Sequence, residues 1–386
     1  SSRSAQLFAW SARKKDALFI GVGTVGAPAR THATLSDVRR ALDGGTAVLD
    51  YITVDSGIFA LVVTARASRV VKLSLSVLVT SDLVQRLRRP LVAVDAGQLD
   101  LARAPFDLGL AQRLYAGLFA PLENMLGGVQ RIIIVPDGPL FGVPFDALPR
   151  TPPGVRTGTN AYHAADYLID RFGITVSTAF ALTGVRRSRG VAEGARVLVV
   201  RGPVAGGERE VASIVAAWPA GRTTSIGGKD ATESALRKRV NGRTVIHFAV
   251  HAHADESDPL DSYLELARDS SDDGFLHVTE VAALKFTGDL VVLTGCETMP
   301  GRVFAGTGPF GIANSFIAAG ARNVIATHWP VGESAADLSR DLHRALASGA
   351  EASSALRSAQ LRLRRDPARA HPFYWGGYVL IAGAAR

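Results

Sequence analysis

The sequence predicts an α/β fold: a mostly parallel sheet flanked by helices, preceded by a smaller α/β subdomain. From residue 195 onward, short apolar segments alternate with amphipathic segments of helical spacing, which is the pattern of strands joined by crossover helices. Hydrophobic residues make up 47% of the 386 residues, enough to bury a large core. No apolar run reaches the roughly 18 residues of a membrane-spanning helix.

The second half of the chain contains the clearest elements. Its predicted strands are VLVV (197–200), TVIHFAV (244–250), DLVVLTG (289–295), NVIAT (323–327) and YVLIAG (378–383). Its predicted helices cover 208–218, 231–240, 311–321, 334–348 and 355–365. Strands this apolar are typical of a parallel sheet covered on both faces, and functional sites in such sheets form beyond the carboxyl ends of the strands.

The first half reads as a helix followed by strands. Alternating segments at 47–54, 57–66 and 69–77 predict strands, and Asp55-Ser56-Gly57 predicts a hairpin turn. Residues 107–127 have helical spacing, with Pro121 expected to begin a second helix, and 131–149 reads as a buried strand followed by a Pro-Asp-Gly turn. Loops are predicted at 150–160 and 183–195, and the second, which is polar and basic, marks a domain boundary. We therefore expect a helix and linker (1–46), a subdomain (47–184) and a second domain (195–386).

Charge and cysteine content limit the possible partners and location. The net charge is +8, but the basic residues are spread along the chain and the dense stretches lack interleaved aromatics. A solvated face is therefore expected rather than a nucleic-acid surface, and acidic protein partners remain open. The single cysteine, Cys296, excludes an intramolecular disulfide. Without a recognisable signal peptide or membrane span, we expect a cytoplasmic protein.

Two predicted neighbouring strands end in reactive side chains. His251 follows one strand and Cys296 ends another, 45 residues later. An imidazole beside a thiol can take its proton and later protonate a leaving amine. The backbone N–H groups of Cys296 and Ala252 are candidates to bind the resulting oxyanion. Two alternatives stay open: Cys296 as a small core residue, and His253, which shares strand parity with His251, in place of His251. His247 has the same parity but lies in the middle of its strand, so we interpret it as a core histidine.

Several segments together resemble the CHAT domain, a group of caspase- and separase-like cysteine peptidases of clan CD. These segments are HFAVHAHAD (247–255), DLVVLTGCETMPG (289–301), GTGPFGIANSFIAAGARNVIATHWPV (306–331), HPFYWGGYVLIAG (371–383), RIIIVPDGPLFGVPFDAL (131–148) and ADYLIDRFGITVSTAFALTG (165–184). The resemblance covers about 47–386. It departs from the family pattern at Ala252, where glycine is usual, and at Gly295, where alanine is usual.

The resemblance implies a caspase-like catalytic domain and a cysteine endopeptidase without a cofactor or metal. The family's catalytic histidine falls on His251 and its nucleophile on Cys296. Acidic Asp255 and Glu297, with Thr294 two residues before the nucleophile, are the candidates for binding substrate, and acidic residues there would favour Lys or Arg at the cleaved bond. The implied substrate is a specific protein, with activity gated by a sensor or tetratricopeptide-repeat partner.

Two other functions remain as alternatives. The first is a catalytically inactive pseudo-peptidase scaffold that binds a protein, which Ala252 favours because a methyl group there would restrict a backbone that needs positive φ. The second is a basic nucleic-acid-binding module. GVGTVG (21–26) matches a dinucleotide fingerprint but lacks a helix at its third glycine, and the cysteine and histidines lack metal-ligand spacing.

Overall fold

The computed structural model describes residues 2–17, 34–95, 100–151, 158–177, 190–191, 194–204, 206–255, 258–294, 311–332 and 335–383. Eleven strands form one sheet: β1 (Thr46–Val54), β2 (Gly57–Thr64), β3 (Ser68–Lys72), β4 (Arg131–Val135), β5 (Gly173–Ser177), β6 (Val197–Arg201), β7 (Thr223–Gly227), β8 (Val245–Ala249), β12 (Leu290–Leu293), β13 (Asn323–Thr327) and β14 (Tyr378–Ala382). A separate three-stranded sheet contains β9 (Ala252–His253), β10 (Tyr263–Glu265) and β11 (Phe275–His277).

Twelve α-helices lie within the described ranges. They are α1 (Ser2–Ala17), α2 (Leu35–Ala41), α3 (Val77–Asp95), α4 (Leu108–Leu114), α5 (Gly158–Ala164), α6 (Leu168–Arg171), α7 (Gly207–Ala217), α8 (Glu233–Arg239), α9 (Val278–Ala283), α10 (Ile312–Ala319), α11 (Ala335–Ala347) and α12 (Ala352–Arg365). After α4 the chain continues through a π-helical turn and a 3₁₀ helix, Ala120–Met125, whose first turn contains Pro121, the expected start of a second helix.

The large sheet has the strand order β3-β2-β1-β4-β5-β14-β13-β12-β8-β6-β7. All neighbouring pairs are parallel except β1–β2, β2–β3 and β13–β14. Because β14 runs opposite to β13, strands β1, β4, β5 and β14 end at one edge of the sheet. Strands β6, β7, β8, β12 and β13 end at the other, which we call the β8–β12 edge.

Helices cover both faces of the sheet, as its apolar strands require. On one face α3, α4, α7, α11 and α12 bury residues such as Leu83, Leu110, Ile214, Leu342 and Leu356 against the strands. On the other face α8 and α10 bury Leu236 and Phe316, and α1 and α2 bury Phe8 and Val38. The predicted α/β fold with a large, mostly parallel sheet is confirmed.

The two predicted parts of the chain contribute strands to the same sheet. The last strand, β14, pairs with β5 from the first part and with β13 from the second. Two strands of the sheet, β5 and β7, were not among those predicted. The β7 segment TTSIG is polar and only partly buried at the edge of the sheet, so it lacks the apolar run by which the other strands were recognised.

A buried ion pair anchors the first helix to the sheet. The Nζ of Lys15 binds the Asp50 carboxylate in the middle of β1, and it also donates to the carbonyl oxygens of Tyr51 (2.7 Å) and Val135 (3.2 Å). The Lys15 and Asp50 side chains are only 7% and 2% exposed. Burial raises the pKa of Asp50, while Lys15 acts in the opposite direction. Lys14 adds an ion pair of 2.5 Å to Asp137, just after β4.

Candidate active site

The site is built where β8 and β12 end, side by side. These strands are parallel neighbours in which Leu290 pairs with Val245 and Leu293 pairs with Phe248, so the paired residues are 45 positions apart in sequence. His251 follows β8 by two residues, and Thr294 follows β12 directly. The predicted site residues Cys296 and Glu297 lie outside the described residues.

His251 connects β8 to the small sheet. Its side chain is half-buried, and its carbonyl oxygen accepts a hydrogen bond of 2.8 Å from the backbone N–H of Glu265. The next residue, Ala252, pairs with Leu264 of β10. Hydrogen-bonded and non-hydrogen-bonded pairs alternate between antiparallel strands. Because His251 and Glu265 form a hydrogen-bonded pair, Ala252 and Leu264 form a non-hydrogen-bonded pair, and the Ala252 N–H does not donate to β10.

The Ala252 backbone is that of a strand, which any L-residue adopts without strain. The methyl group that replaces the expected glycine hydrogen therefore does not restrict the backbone in this conformation. The observation removes the reason for which Ala252 favoured an inactive scaffold.

The rival histidine His253 has a different environment from His251. It is exposed, and its ring lies 5.2 Å from the ring of Tyr263, its cross-strand partner. His247, in contrast, is fully buried within β8, in agreement with its interpretation as a core histidine.

His247 belongs to a chain of hydrogen bonds beneath the strand ends. The indole N–H of Trp218 donates to Nδ1 of His343 (3.0 Å), so Nε2 of His343 is its donor toward Nδ1 of His247 (3.1 Å). His247 therefore donates from Nε2, which lies 3.0 Å from Oε1 of Glu210. Ser339 donates to the same carboxylate oxygen (2.6 Å). Burial lowers the pKa of His343 well below its usual range.

Thr294 joins this network at the end of β12. Its hydroxyl donates to the carbonyl oxygen of Phe248 (3.1 Å) and lies 3.2 Å from Nε2 of His247, and its backbone N–H donates to the same Phe248 oxygen (3.1 Å). The side chain is 7% exposed. These contacts hold the end of β12 against β8. They are contacts to the protein itself, unlike those expected of a residue that binds substrate.

Sequence reasoning did not identify Glu210, Ser339, His343 and Trp218 as part of this region. A signal was present for α7, because Glu210 stands on the same helical stripe as the buried Ile214 and Trp218. A carboxylate on an apolar stripe indicates a buried hydrogen-bonding partner.

Asp255, a predicted substrate-binding residue, organises the loop between β9 and β10. Its Oδ1 accepts a hydrogen bond of 2.9 Å from the backbone N–H of Asp258, and its own N–H donates to the Ser262 hydroxyl (3.0 Å). The first contact is typical of a turn stabilised by an aspartate side chain, and the second joins the two ends of the loop.

His328 is 3% exposed and follows β13 at the β8–β12 edge. Burial lowers its pKa to about 3, with a smaller effect of Arg88, whose guanidinium donates to the His328 carbonyl oxygen (3.0 Å from Nε). Within the described part of the chain, no group of three or more His, Cys, Asp or Glu residues could hold a metal ion, and no helix could span a membrane.

Solved structures that resemble this chain include those of a separase and of an Arg specific cysteine proteinase. The Saccharomyces cerevisiae separase of the separase–securin complex matches 90% of this chain and 31% of its own, with a TM-score of 0.57 and 9% identity. The Arg specific cysteine proteinase gingipain R matches 78% of this chain and 73% of its own, with a TM-score of 0.42 and 9% identity.

In sequence, tetratricopeptide repeat protein 28 of Mus musculus is 32% identical to this chain over 107 residues, which are 28% of this chain and 4% of that protein. This chain therefore spans a small part of both separase and the tetratricopeptide repeat protein. The family model of the CHAT domain matches residues 108–383, most of the chain. The chain belongs to the CHAT domain family and has the fold of caspase-like clan CD cysteine peptidases.

Proposed function

We propose that this chain is a cysteine endopeptidase in which Cys296 is the nucleophile and His251 is the general base and acid. The observation that carries the proposal is the register of β8 and β12, whose partners are 45 residues apart. His251 and Cys296 have the same separation in sequence. Paired residues of parallel neighbouring strands project to the same face, so this register supports a dyad at the β8–β12 edge.

The proposed reaction follows from the chemistry of the two groups. His251 takes the thiol proton, and the Cys296 sulfur attacks the carbonyl carbon of the substrate peptide bond. As the C–N bond breaks, His251 gives the proton to the leaving amine, and a thioester remains on Cys296. Water, deprotonated by His251, then hydrolyses the thioester and regenerates the thiol. No cofactor takes part.

The oxyanion formed in each step needs donors that are already in place. We propose the backbone N–H groups of Ala252 and Cys296 for this role. The Ala252 N–H is not used by the small sheet, which supports this assignment. Thr294, by contrast, supports the strand end, so we propose it as a positioning residue and keep Asp255 and Glu297 as the candidates near substrate.

A cysteine-directed electrophile tests the dyad. Iodoacetamide labelling is followed by mass spectrometry of the Cys296 peptide, as a function of pH, in the parent and in His251→Ala. We expect labelling of the parent at neutral pH and a fall of at least about tenfold in His251→Ala, because the imidazole no longer favours the thiolate. His253→Ala is the matched control and should label like the parent. Equal labelling of the parent and His251→Ala would refute the dyad.

Activity and regulation need a second experiment. We propose that a sensor or tetratricopeptide-repeat partner gates the site. We also propose that this chain consists of three parts, residues 1–46, 47–184 and 195–386. Similarity to a tetratricopeptide repeat protein supports such a partner. N-terminal sequencing of fragments from candidate partner proteins, incubated with the parent and with Cys296→Ala, would identify the substrate. Fragments that form equally with Cys296→Ala would contradict the endopeptidase assignment.

A further inference from the structure

The small sheet beside His251 has one apolar face toward the core and one outer face of aromatic rings. Leu264 of β10 and Leu276 of β11 pair with each other and are fully buried. Side chains alternate along a strand, so the flanking cross-strand rows lie on the outer face. One row contains His253, Tyr263 and His277, and the other contains Glu265 and Phe275.

This outer face is continuous with the proposed general base. The hydrogen bond from the Glu265 N–H to the His251 carbonyl oxygen (2.8 Å) extends the pairing of β9 and β10 by one position. His251 therefore stands in the same cross-strand row as Glu265 and Phe275. The row of Tyr263 is two residues further along, about 7 Å away at the usual rise of a strand.

The rings of the outer face contact one another and remain accessible. The Tyr263 ring lies 4.8 Å from that of Phe275, 5.5 Å from that of His277 and 5.2 Å from that of His253. Phe275 is 40% exposed, which is unusual for a large apolar side chain. A contiguous exposed aromatic surface is typical of a site that binds another molecule.

The charge of this region is opposite to that of the whole protein. Residues 255–280 contain nine Asp and Glu residues and a single basic residue, Arg268, in a chain of net charge +8. Several of these carboxylates are occupied: Asp272 pairs with Arg237 at 2.7 Å, for example. Glu265, the carboxylate in the aromatic rows, makes no ion pair with any residue that the structure describes.

We propose that the outer face of β9–β11 binds an arginine-containing segment of the substrate, a few residues away from the cleaved bond. The guanidinium stacks on Tyr263 or Phe275 and pairs with Glu265, combining a cation–π contact with a charged hydrogen bond. This inference rests on the proposed function, since the distance from the cleaved bond is counted from His251. It concerns residues that flank the cleaved bond and is independent of which residue stands at that bond.

The spacing of the rows limits where the arginine must be. An extended substrate advances about 3.3 Å per residue, so the Glu265 and Tyr263 rows reach side chains within about two to four residues of the cleaved bond. Arginine is expected to exceed lysine, because the planar guanidinium can stack and pair at once while the ammonium group is a point charge.

Cleavage of a peptide library tests the proposal. Peptides generated from a proteome by a glutamate-specific protease retain internal Arg and Lys, and mass spectrometry identifies the bonds that the parent cuts. We expect Arg to be enriched two to four residues from the cut on one side. Glu265→Gln and Tyr263→Leu should each reduce that enrichment about two- to fivefold, as for an exposed ion pair or cation–π contact. The labelling rate of Cys296 by iodoacetamide should not change.

Leu78→Ser is the control, because Leu78 is 83% exposed on α3 and lies outside the small sheet. No Arg enrichment in the parent, or the same enrichment in Glu265→Gln and Tyr263→Leu, would overturn the inference while the dyad stands. If the parent cuts nothing, docking is decided by calorimetry of the Cys296→Ala protein with an Arg peptide and its citrulline analogue, and equal affinities would overturn the inference. If, in addition, labelling is independent of His251, the proposed function itself fails.

Discussion

The ion pair that anchors α1 allows a quantitative prediction. Lys15→Met keeps an unbranched side chain of similar length but removes the ammonium group that binds Asp50. Asp50 then stays buried in the middle of β1, 2% exposed, and among the residues that the structure describes its remaining hydrogen-bond donor is the hydroxyl of Ser11 (3.1 Å). The substitution therefore leaves a nearly unpaired carboxylate inside the sheet.

The expected loss in the free energy of unfolding is about 3–5 kcal/mol, the usual effect of removing one partner of a buried pair. This is a large part of the stability of an ordinary domain, about 5–15 kcal/mol. The double variant Lys15→Met, Asp50→Asn should recover most of the loss, because no charge is then buried. The pair itself can be close to neutral, since desolvation of both groups offsets their attraction.

The loss should depend on pH in a defined direction. Burial raises the pKa of Asp50, and removal of Lys15 takes away the attraction that opposes this rise. A carboxyl whose pKa is higher in the folded state stabilises the fold below its unfolded pKa, about 3.9, and loses that stabilisation as the pH rises through the folded value. Lys15→Met should therefore be closest to the parent in acid and furthest from it at neutral pH.

Urea unfolding of the parent, Lys15→Met and the double variant at several pH values measures these effects. Hydrogen exchange of the β1 amides would show whether the loss falls on this part of the sheet. A loss below about 1 kcal/mol would mean that the charge is hydrated and the pair is exposed in solution. A double variant as unstable as Lys15→Met would mean that packing of the lysine stem, and not the charge, holds the helix.

Two further predictions concern buried polar side chains outside the strands, Thr294 and Asp146. Thr294→Val removes the hydroxyl that joins the end of β12 to Phe248 and His247, so urea unfolding should show a loss of about 1–3 kcal/mol in the free energy of unfolding. Thr294→Ser keeps the hydroxyl and should be close to the parent. Equal losses in the two variants would mean that the methyl group is responsible instead. Burial raises the pKa of Asp146 to about 7, while Gln360 and Arg357 oppose the rise. The contribution of this carboxyl to the free energy of unfolding should therefore be fully present below about pH 4. It should be lost as the pH rises through 7, by up to about 4 kcal/mol. Asp146→Asn should unfold with less dependence on pH between 5 and 8, and an unchanged slope would contradict this assignment.

Four of the strands that end at the β8–β12 edge, β6, β8, β12 and β13, could be recognised from sequence because each is a short run of mostly buried residues. The same pattern does not specify strand direction: YVLIAG forms β14, which is antiparallel to β13 and parallel to β5. The direction of a strand depends on the edge of the sheet at which the preceding connection ends. A run such as YVLIA buries equally well in either direction, so the reversal within the sheet was not predictable.

Buried charges were also hard to predict. Lys15 looks like a solvated helix residue, because its partner Asp50 is 35 residues away in sequence. The visible signal was on the strand: an aspartate in the middle of AVLDYITV requires a buried partner once the strand is central in the sheet. The identity of that partner depends on how α1 packs, which local patterns do not contain.

The reversal between β13 and β14 has a consequence for how the protein can be attached to others. The α1 contact to Asp137 lies where β4 ends, at the edge opposite the β8–β12 edge. A large partner could therefore bind α1 without covering the proposed catalytic residues at the β8–β12 edge. Any force applied through α1 would pass from β1 and β4 across β5, β14, β13 and β12 before it reached His251 after β8, so the middle of the sheet would transmit it.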